Sequence, residues 1–495
     1  MKETDPHGWL RPALYILAAI LLLLLAAGIP GHHVHIDEAW IGEQAYTLAT
    51  DGYVHSNLFE GLARVDERSI VYHRLFVRAG SLAIDLFGWS VGALRVVPLA
   101  CGALLLALMF LYCRDTMKGD RFWAVLPGVI LLLVPLCFEF VKIYRPEFMT
   151  AMFGFASFFA LHSYLGHGRW QRIAICGVAG GAAALAHPYG LVYPVAAFLL
   201  LALMRRWRHL PLLVLATTVV LLPYAVDILA NQELVRLQLA NPIVADKTHF
   251  GILTPFINLL DEHKRLFRTI DIIPISVLFL LSLLPAFGDR SSGVKLLHCY
   301  TLILVVLLGM LTPDKLTRYG IVLFPFFAIS IAWSLRMIVE SPESRRGKIY
   351  IPWLRASIPA LLFGLFGAIL FGYGIFYAAR TSFRPREDPA ALNREIARNI
   401  PAGSRIVAPM NFLFEEIGNY HIIALRYANY EQSSRLPLDS LLAFAGRHRA
   451  NAIVFNRYQE GDEGVVDLEE HRERLGRMHR VVDDPNGGYS VVLLK

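Results

Sequence analysis

Long apolar runs separated by short polar breaks dominate this chain and limit what it can fold into. A helix needs roughly 20 mostly apolar residues to cross the hydrocarbon core of a bilayer, and such runs recur from the N-terminus to near residue 380. Hydrophobic residues make up 56% of the chain and charged residues 18%, whereas a typical soluble domain is about 25% charged. The pattern predicts an α-helical polytopic membrane protein.

Eleven transmembrane spans are predicted. They cover residues 9–29, 90–112, 122–138, 147–165, 173–187, 188–204, 211–229, 271–287, 296–312, 320–337 and 353–378. The segment from His187 to Gly190 is interpreted as a turn between two spans rather than a kink, because Lys and Arg then concentrate in alternate, inner loops. The first span is expected to be retained, since its apolar stretch is longer than a usual signal core.

The span count divides the chain into two parts. Residues 1–379 form the predicted membrane domain, whose outer loops are 30–89, with amphipathic interfacial helices, and 230–270. Residues 380–495 have the composition of a soluble α/β domain, and the odd number of spans places it on the outer, extracytoplasmic face. It has no Gly-rich phosphate loop and no nucleophile elbow, so we expect it to support or recognise rather than react.

Net charge and cysteine content narrow the function classes. The formal charge of +7 is accounted for mostly by the inner loops, so it is a topology signal and does not indicate nucleic-acid binding. The five cysteines lie in or beside apolar spans, form no C-x-x-C pair and are absent from the outer domain. This excludes a disulfide framework and a thiolate zinc site.

The first outer loop carries a carboxylate pair, Asp37 and Glu38, immediately after the first span. Apolar residues recur at helical spacing from Glu38 to Thr50, which predicts a helix lying along the membrane surface. Asp37 near its start has a structural interpretation, that of a helix cap. The neighbouring His32, His33 and His35 do not match a recognised metal-ligand spacing.

Other polar groups lie at predicted outer ends of spans. They are the segment Tyr72-His73-Arg74, the turn holding Arg145 and Glu147, and the pair Arg318-Tyr319. Each has an alternative role as an interfacial anchor, because Arg, Lys and Tyr gather at membrane boundaries. Together on one face, carboxylates and cations could bind a phosphorylated lipid and activate a hydroxyl group beside it.

These features resemble a known family. The carboxylate pair after the first span, the segment Leu86-Phe87-Gly88-Trp89-Ser90-Val91-Gly92-Ala93-Leu94-Arg95, and a late Arg318-Tyr319 entering a span with Pro325 are similar to the C superfamily of membrane glycosyltransferases. The protein O-mannosyltransferases and the aminoarabinose transferases that modify lipid A are the most similar families. The resemblance covers roughly residues 10–340.

The resemblance implies a function and a site. Such enzymes use polyprenyl-phosphate sugars on the outer face, with an acidic residue of the first loop as base or metal-linked carboxylate, here Asp37, and a second acidic residue opening the fourth span, here Glu147. Transfer would invert configuration at the sugar. The candidate substrate contacts are Glu38, Tyr72, His73, Arg74, Arg145, His187, Tyr189, Arg318 and Tyr319. Aminoarabinose transferases carry a Glu-Lys-Pro-Pro run where this chain has Tyr72-His73-Arg74, which argues against that donor.

The same resemblance implies partners and a possible cofactor. The partners are a lipid-linked sugar donor, an acceptor that is a protein, a lipid or a glycan, and membrane lipids. No cofactor is certain, although Mg²⁺ or Mn²⁺ bound by Asp37 and Glu147 is compatible with hard oxygen ligands. The expected location is the bacterial cytoplasmic membrane.

Three alternatives stay open at this level. A transporter or flippase of a lipid-linked sugar usually has charged or broken-helix sites near the bilayer midplane and repeated halves, and neither is evident here. A polytopic scaffold or sensor would use its outer domain to bind a partner and would not need Asp37. An oligosaccharide transferase or polymerase of the same superfamily would move a preassembled glycan.

Overall fold

The computed structural model describes most of the chain. The described residues are 10–29, 34–117, 120–241, 251, 253–288, 292–340, 357–383, 389–428, 437–456, 468–484 and 488–494. The histidines His32 and His33 discussed above lie outside them. The membrane part consists of helices α1 (Leu10–Gly28), α2 (Ile36–Asp51), α3 (Arg74–Phe87), α4 (Val91–Thr116), α5 (Arg121–Leu132), α6 (Pro135–Phe140), α7 (Glu147–His167), α8 (Gln171–Ala186), α9 (Val192–Leu203), α10 (Leu210–Ala230), α11 (Gln232–Leu239), α12 (Thr254–Leu260), α13 (Glu262–Leu266), α14 (Ile273–Gly288), α15 (Ser292–Leu311), α16 (Phe324–Glu340) and α17 (Ser357–Ser382).

Each predicted span coincides with a helix among the described residues, although not always with a single one. Six helices are long and apolar enough to cross a membrane: Leu10–Gly28, Val91–Thr116, Glu147–His167, Trp207–Ala230, Gly293–Leu311 and Leu361–Ser382. The predicted span 122–138 is divided, because Pro135 cannot continue α5 and instead opens α6. The number of crossings therefore stays a prediction.

The bundle core is built around α7, whose residues are buried on most sides. Phe155 and Phe158 of α7 contact Phe326 of α16 at ring-centroid distances of 5.5 and 5.3 Å. Phe158 also lies 4.8 Å from Tyr300 of α15. Because large aromatic side chains bury much apolar area and pair edge to face, these contacts fix α7, α15 and α16 against one another.

The segment after α8 forms a turn, as its sequence indicates. A short 3₁₀ helix, Pro188–Leu191, follows the extended residue His187. It folds back so closely that a Cβ on Gly190 would lie 2.1 Å from the carbonyl oxygen of Ala183 in α8. Only glycine fits this approach, and the chain then continues as the separate helix α9.

The first outer loop differs from the sequence prediction at α2. This helix was expected to lie along the membrane surface, but half of its 16 residues are buried, because the C-terminal part of the chain covers the side that the bundle leaves open. The second helix of the loop, α3, does expose large apolar side chains, including Leu82, Leu86 and Phe87. Such a face suits a membrane interface.

The C-terminal part contains a five-stranded sheet in the order β2-β1-β3-β5-β4. Its strands are β1 (Arg405–Ala408), β2 (His421–Ala424), β3 (Ala452–Asn456), β4 (Arg480–Asp483) and β5 (Tyr489–Leu493), and its helices are α18 (Pro389–Ala397), α19 (Leu413–Glu416), α20 (Leu425–Ala428), α21 (Leu438–Arg447) and α22 (Leu468–Met478). Strand β1 pairs in parallel with β2 and β3, whereas β5 is antiparallel to β3 and β4.

This sheet region packs directly on the first outer loop. The ring of Trp89 stacks on Phe414 at 5.1 Å, and its Nε1–H donates a hydrogen bond to the Phe414 carbonyl at 2.8 Å. The amide of Ala424 donates to the carbonyl of Leu58 at 2.9 Å. Apolar and backbone contacts together hold α2 between the bundle and the sheet.

Candidate functional site

Arg145 brings the two predicted catalytic carboxylates to one place. One terminal nitrogen of its guanidinium pairs with Asp37 at the start of α2, and the other lies 2.7 Å from Oε1 of Glu147. Arg318 completes the group, with its Nε 4.0 Å from the same Glu147 oxygen. We call Asp37, Arg145, Glu147 and Arg318 the charged cluster.

Local structure explains where these side chains lie. Pro146 precedes α7 and leaves Glu147 in the first turn of that helix, where a carboxylate complements the positive end of the helix dipole. Asp37 occupies the equivalent position in α2. Two helix N-termini thus present carboxylates toward the same guanidinium.

The carboxylates of Asp37 and Glu147 differ in their exposure to solvent. The side chain of Asp37 is 26% exposed, whereas that of Glu147 is 2% exposed. Both nitrogens that face Glu147 on Arg145 also donate hydrogen bonds to it, at 2.7 and 3.1 Å. A substrate can therefore reach Asp37, while Glu147 is enclosed behind Arg145.

Glu38 has a structural role that the sequence did not reveal. Its Oε2 accepts a hydrogen bond from the His35 amide at 2.9 Å, which completes a capping box at the start of α2. Both of its oxygens also pair with Arg95 at 2.8 Å, and Oε1 accepts from the Tyr144 amide. The structure does not leave Glu38 free to contact a substrate, because both of its oxygens are already engaged by these partners.

These contacts set the charge state of the α2 start. Burial would raise the pKa of Glu38, but the Arg95 guanidinium outweighs it, so the pKa is lowered overall and the carboxylate is ionised. Burial, and then Arg145, lower the pKa of His35 to about 4. The His35 ring is therefore neutral at physiological pH, and its Nδ1 accepts from the Asp37 amide at 3.1 Å.

Four aromatic residues from three segments meet next to the charged cluster. His73 stacks on His187 at 4.7 Å, and His187 lies 4.7 Å from Tyr189 and 5.5 Å from Tyr319. Tyr189 and Tyr319 contact edge to face at 4.6 Å. The guanidinium of Arg318 lies 5.6 Å from the Tyr319 ring, so the two groups of predicted residues form one continuous site.

Arg265 borders this site, and sequence reasoning missed it. Its side chain is fully buried in α13, with the guanidinium 5.8 Å from the Tyr319 ring. Nη2 donates to the hydroxyl of Thr312, and Nε lies 3.1 Å from Oε1 of Glu262, whereas Nη1 has no hydrogen-bond partner among the described residues. Nothing in its polar surroundings from residue 261 to 268 distinguishes it from a surface arginine.

Arg74, which lies beside Tyr72, makes its contacts with α10 and not with the charged cluster. The Arg74 guanidinium pairs with Asp227 near the end of α10 and lies 5.0 Å from the Tyr72 ring and 4.4 Å from the Tyr224 ring. Arg68 also reaches Asp227, at 3.3 Å. These contacts fasten the first outer loop to α10, and they leave His73 as the member of the predicted Tyr72-His73-Arg74 segment that joins the site.

The expected divalent cation does not fit the described residues as they stand. No group of three or more His, Cys, Asp or Glu side chains comes together in the described part of the chain. The position between Asp37 and Glu147 is taken by the Arg145 guanidinium, whose charge would repel a metal ion.

Comparisons with known proteins agree with this architecture. Residues 79–229 match the sequence model of the dolichyl-phosphate-mannose-protein mannosyltransferases. No curated protein matches the chain by sequence.

Solved structures extend the likeness to the whole chain. ArnT from Cupriavidus metallidurans, bound to undecaprenyl phosphate, superimposes with a TM-score of 0.65 at 13% identity, covering 99% of this chain and 98% of that one. The Archaeoglobus fulgidus oligosaccharyltransferase tethered to an acceptor peptide gives 0.54 at 13% identity, covering 97% and 74%. The mycobacterial arabinofuranosyltransferase AftD gives 0.55 at 13% identity, covering 98% of this chain and 40% of AftD.

The fold is therefore that of the C superfamily of membrane glycosyltransferases, and the resemblance predicted from the sequence is confirmed. The sequence match to the mannosyltransferase model covers residues 79–229, which is less than half of the chain. The chain is an integral membrane protein with several apolar helices.

Proposed function

We propose that this protein transfers a sugar from a polyprenyl-phosphate carrier to a hydroxyl group of an acceptor on the outer face of the membrane. The observation that carries the proposal is the position of Asp37, the accessible carboxylate of a cluster that also holds Arg145 and Arg318. The similar ArnT structure contains undecaprenyl phosphate, which supports a lipid-phosphate donor. A partly exposed base beside several cations is the arrangement that such a donor requires.

The chemistry is a single displacement. Asp37 accepts the proton of the acceptor hydroxyl as its oxygen attacks the anomeric carbon. The bond between that carbon and the phosphate oxygen breaks, and the polyprenyl phosphate leaves with the electron pair. Attack opposite the leaving group inverts the configuration at the anomeric carbon.

The cations have separate tasks in this scheme. Arg265 and Arg318 flank Tyr319, and we assign them to the phosphate, whose negative charge grows as the bond breaks. Nη1 of Arg265 offers a donor without a partner among the described residues. Arg145 orients the Asp37 carboxylate, and Glu147 positions Arg145. This revises the expected role of Glu147 from a catalytic to a positioning residue.

The aromatic residues provide the sugar-facing wall. Rings of His187, Tyr189 and Tyr319 lie within 5.5 Å of one another, beside the proposed phosphate contacts. Aromatic faces pack against the C–H faces of sugar rings and bury them without charge. His73, stacked on His187, supports this wall from the first outer loop.

A transporter of the same lipid-linked sugar is the competing proposal. Its coupling site would be expected near the bilayer midplane. The charged cluster instead lies at the N-terminal end of α7, at Glu147, which favours an enzyme whose site opens at the membrane surface.

Dependence on a divalent cation remains a prediction that the geometry disfavours. Because Arg145 and Arg318 together already balance the charges of Asp37 and Glu147, we propose that transfer proceeds without an added metal ion. A strong chelator should leave the rate unchanged, and loss of transfer that Mg²⁺ or Mn²⁺ restores would reverse this assignment.

Reconstitution tests the function as a whole. The purified full chain is placed in liposomes with radiolabelled polyprenyl-phosphate hexoses or pentoses and with hydroxyl-bearing protein, glycan or lipid acceptors. Transfer of label to one acceptor class, with inverted anomeric configuration in the product, is expected. Label that crosses the bilayer still attached to its lipid, without transfer from any donor, would instead establish a transporter. The sugar and acceptor are defined by the same panel.

The proposed location follows from the donor. Polyprenyl-phosphate sugars serve acceptors outside the cytoplasm, so we place the protein in the bacterial cytoplasmic membrane with residues 380–495 outside.

A further inference from the structure

A second cavity lies at the other end of the helix bundle from the charged cluster. It has a volume of about 350 Å³ and is lined by α4, α7, α15 and α16, including Tyr112, Asp115, His162 and Trp333. Binding pockets for small molecules usually begin near roughly 300 Å³. The cavity is therefore large enough for a lipid headgroup.

Helix geometry places this cavity in the opposite leaflet from Asp37. His162 lies 15 residues after Glu147 along α7, which corresponds to about 22 Å at 1.5 Å per residue. Along α4, Asp115 lies 20 residues after Arg95, or about 30 Å, close to the thickness of the hydrocarbon core. The cavity thus takes no part in the proposed transfer reaction.

The lining selects a cationic ligand. Among the described residues that line the cavity, Asp115 carries the only formal charge when histidine is neutral. The rings of Tyr112 and Trp333, which are 2% and 9% exposed, form part of its wall. A carboxylate beside aromatic rings attracts an ammonium group both by charge and through the ring faces.

The lining also matches a primary rather than a quaternary ammonium. An –NH₃⁺ group has three N–H donors to satisfy. The cavity offers the Asp115 carboxylate, the imidazole of His162 and the hydroxyl of Thr116. That hydroxyl donates to the Tyr112 carbonyl at 2.9 Å, so its lone pairs are available as acceptors.

We propose that this cavity binds the headgroup of a phospholipid with a primary ammonium group, such as phosphatidylethanolamine, from the leaflet opposite the charged cluster. Asp115, His162 and Thr116 accept the ammonium hydrogens. Exposed apolar residues on two of the framing helices, Leu111 of α4 and Leu302 of α15, are available to the acyl chains. The lipid anchors the ends of α4, α7, α15 and α16 together.

Native mass spectrometry of the purified full chain tests the proposal. The protein is titrated with phosphatidylethanolamine, phosphatidylcholine and phosphatidylglycerol that carry identical acyl chains. The wild type is expected to retain one phosphatidylethanolamine in preference to the other two lipids. Asp115→Asn should weaken that retention by about 10-fold, because it removes a charge-assisted hydrogen bond.

Two further variants make the result decisive. Asp85→Asn makes the same charge change on an exposed residue of α3 and should retain the preference. Thr116→Val keeps the side-chain shape and all charges, and it should reduce the preference for ethanolamine over choline. Equal retention of all three lipids by the wild type, or wild-type retention by both Asp115→Asn and Thr116→Val, would overturn the proposal.

Discussion

Neighbouring residues of the first outer loop illustrate how side-chain surroundings decide function. Asp37 and Glu38 are adjacent carboxylates that the sequence alone does not distinguish. For Asp37 the alternative to a catalytic role was that of a helix cap. In the structure Glu38 completes the capping box with His35 and pairs with Arg95. Asp37 is thereby left to face Arg145 and solvent, which is the arrangement that a general base needs.

Arg265 provides a prediction on donor binding. Arg265→Met should weaken binding of polyprenyl phosphate by about 10-fold or more, because a charge-assisted hydrogen bond to phosphate is lost. Glu262 keeps Lys315 as a partner at 3.0 Å, so the variant does not leave that carboxylate alone. Binding of radiolabelled polyprenyl phosphate is the measurement.

A matched pair of variants controls that experiment. Arg268→Met removes the same charge from an exposed neighbour and should bind like the wild type. Arg265→Lys should recover part of the affinity by keeping the charge. Normal binding by Arg265→Met would remove this residue from the donor site.

Glu43 of α2 gives a prediction on pH and stability. Burial raises its pKa from 4.5 to about 7, against hydrogen bonds from Ser56 and from the amides of Asn57 and Leu58. Between pH 4.5 and about pH 7, Glu43 therefore keeps its proton in the folded state and loses it in the unfolded state. Stability should fall as pH rises through this window, by up to roughly 3 kcal/mol.

The comparison with Glu43→Gln measures that effect. The variant cannot ionise, so its thermal midpoint in detergent should fall less between pH 5 and pH 8 than that of the wild type. Identical pH dependence of the two proteins would show that Glu43 does not titrate there.

At the scale of elements, docking of the sheet on the first outer loop depends partly on Glu60. Its carboxylate pairs with Arg405 of β1 at 2.7 Å and with His421 of β2. Burial would raise the pKa of Glu60, but these partners lower it overall. Glu60→Gln should speed hydrogen exchange in β1 and β2 and leave β3 unchanged.

A surface ion pair is the control for that prediction. Glu67 pairs with Arg64 and both side chains are 57% exposed, and such pairs contribute little. Glu67→Gln should therefore exchange like the wild type. Unchanged exchange in Glu60→Gln as well would mean that apolar contacts alone hold the sheet.

The sequence predicts those helices and strands whose residue pattern is visible within a single segment of the chain. Short runs of β-branched residues predict strands at 404–409, 451–456 and 489–494, and β1, β3 and β5 lie there. Strands β2 and β4 were not predicted; both are edge strands, and each is defined by its pairing with one neighbour, β1 or β5. The burial of α2 was missed because its cover comes from the distant Phe414 region.

The sequence likewise predicts only part of the candidate site. Asp37 and Glu147 were predicted from their position at span boundaries, and the structure brings both to Arg145. Arg265 and the partnership of Glu38 with Arg95 could not be found, because both depend on which helices pack together. The pairing of Arg74 could not be predicted for the same reason, since Asp227 lies in the distant α10.

For the whole molecule, the crossing number fixes which groups share a face. The predicted eleven crossings would put the inner end of α7 and the C-terminal sheet on opposite sides of the membrane. Gly166 and Gly446 are both exposed, with open space around them. In a Cys299→Ser background, cysteine at 446 should react with an impermeant maleimide in intact cells, and cysteine at 166 only after permeabilisation.

Labelling of both positions from the same side would contradict the prediction that the turn at His187 separates two membrane spans. The four native cysteines other than Cys299 are buried, so they should contribute little background.

The most direct test of the proposed mechanism is the effect of Asp37→Asn on the purified protein, with donor binding and sugar transfer measured on the same preparation. We predict that polyprenyl-phosphate sugar binds as in the wild type, while transfer falls by about 10²–10⁴-fold, the usual contribution of a general base. Asp85→Asn, the same change on an exposed residue of α3, should transfer at the wild-type rate. Full transfer by Asp37→Asn would contradict the proposed mechanism.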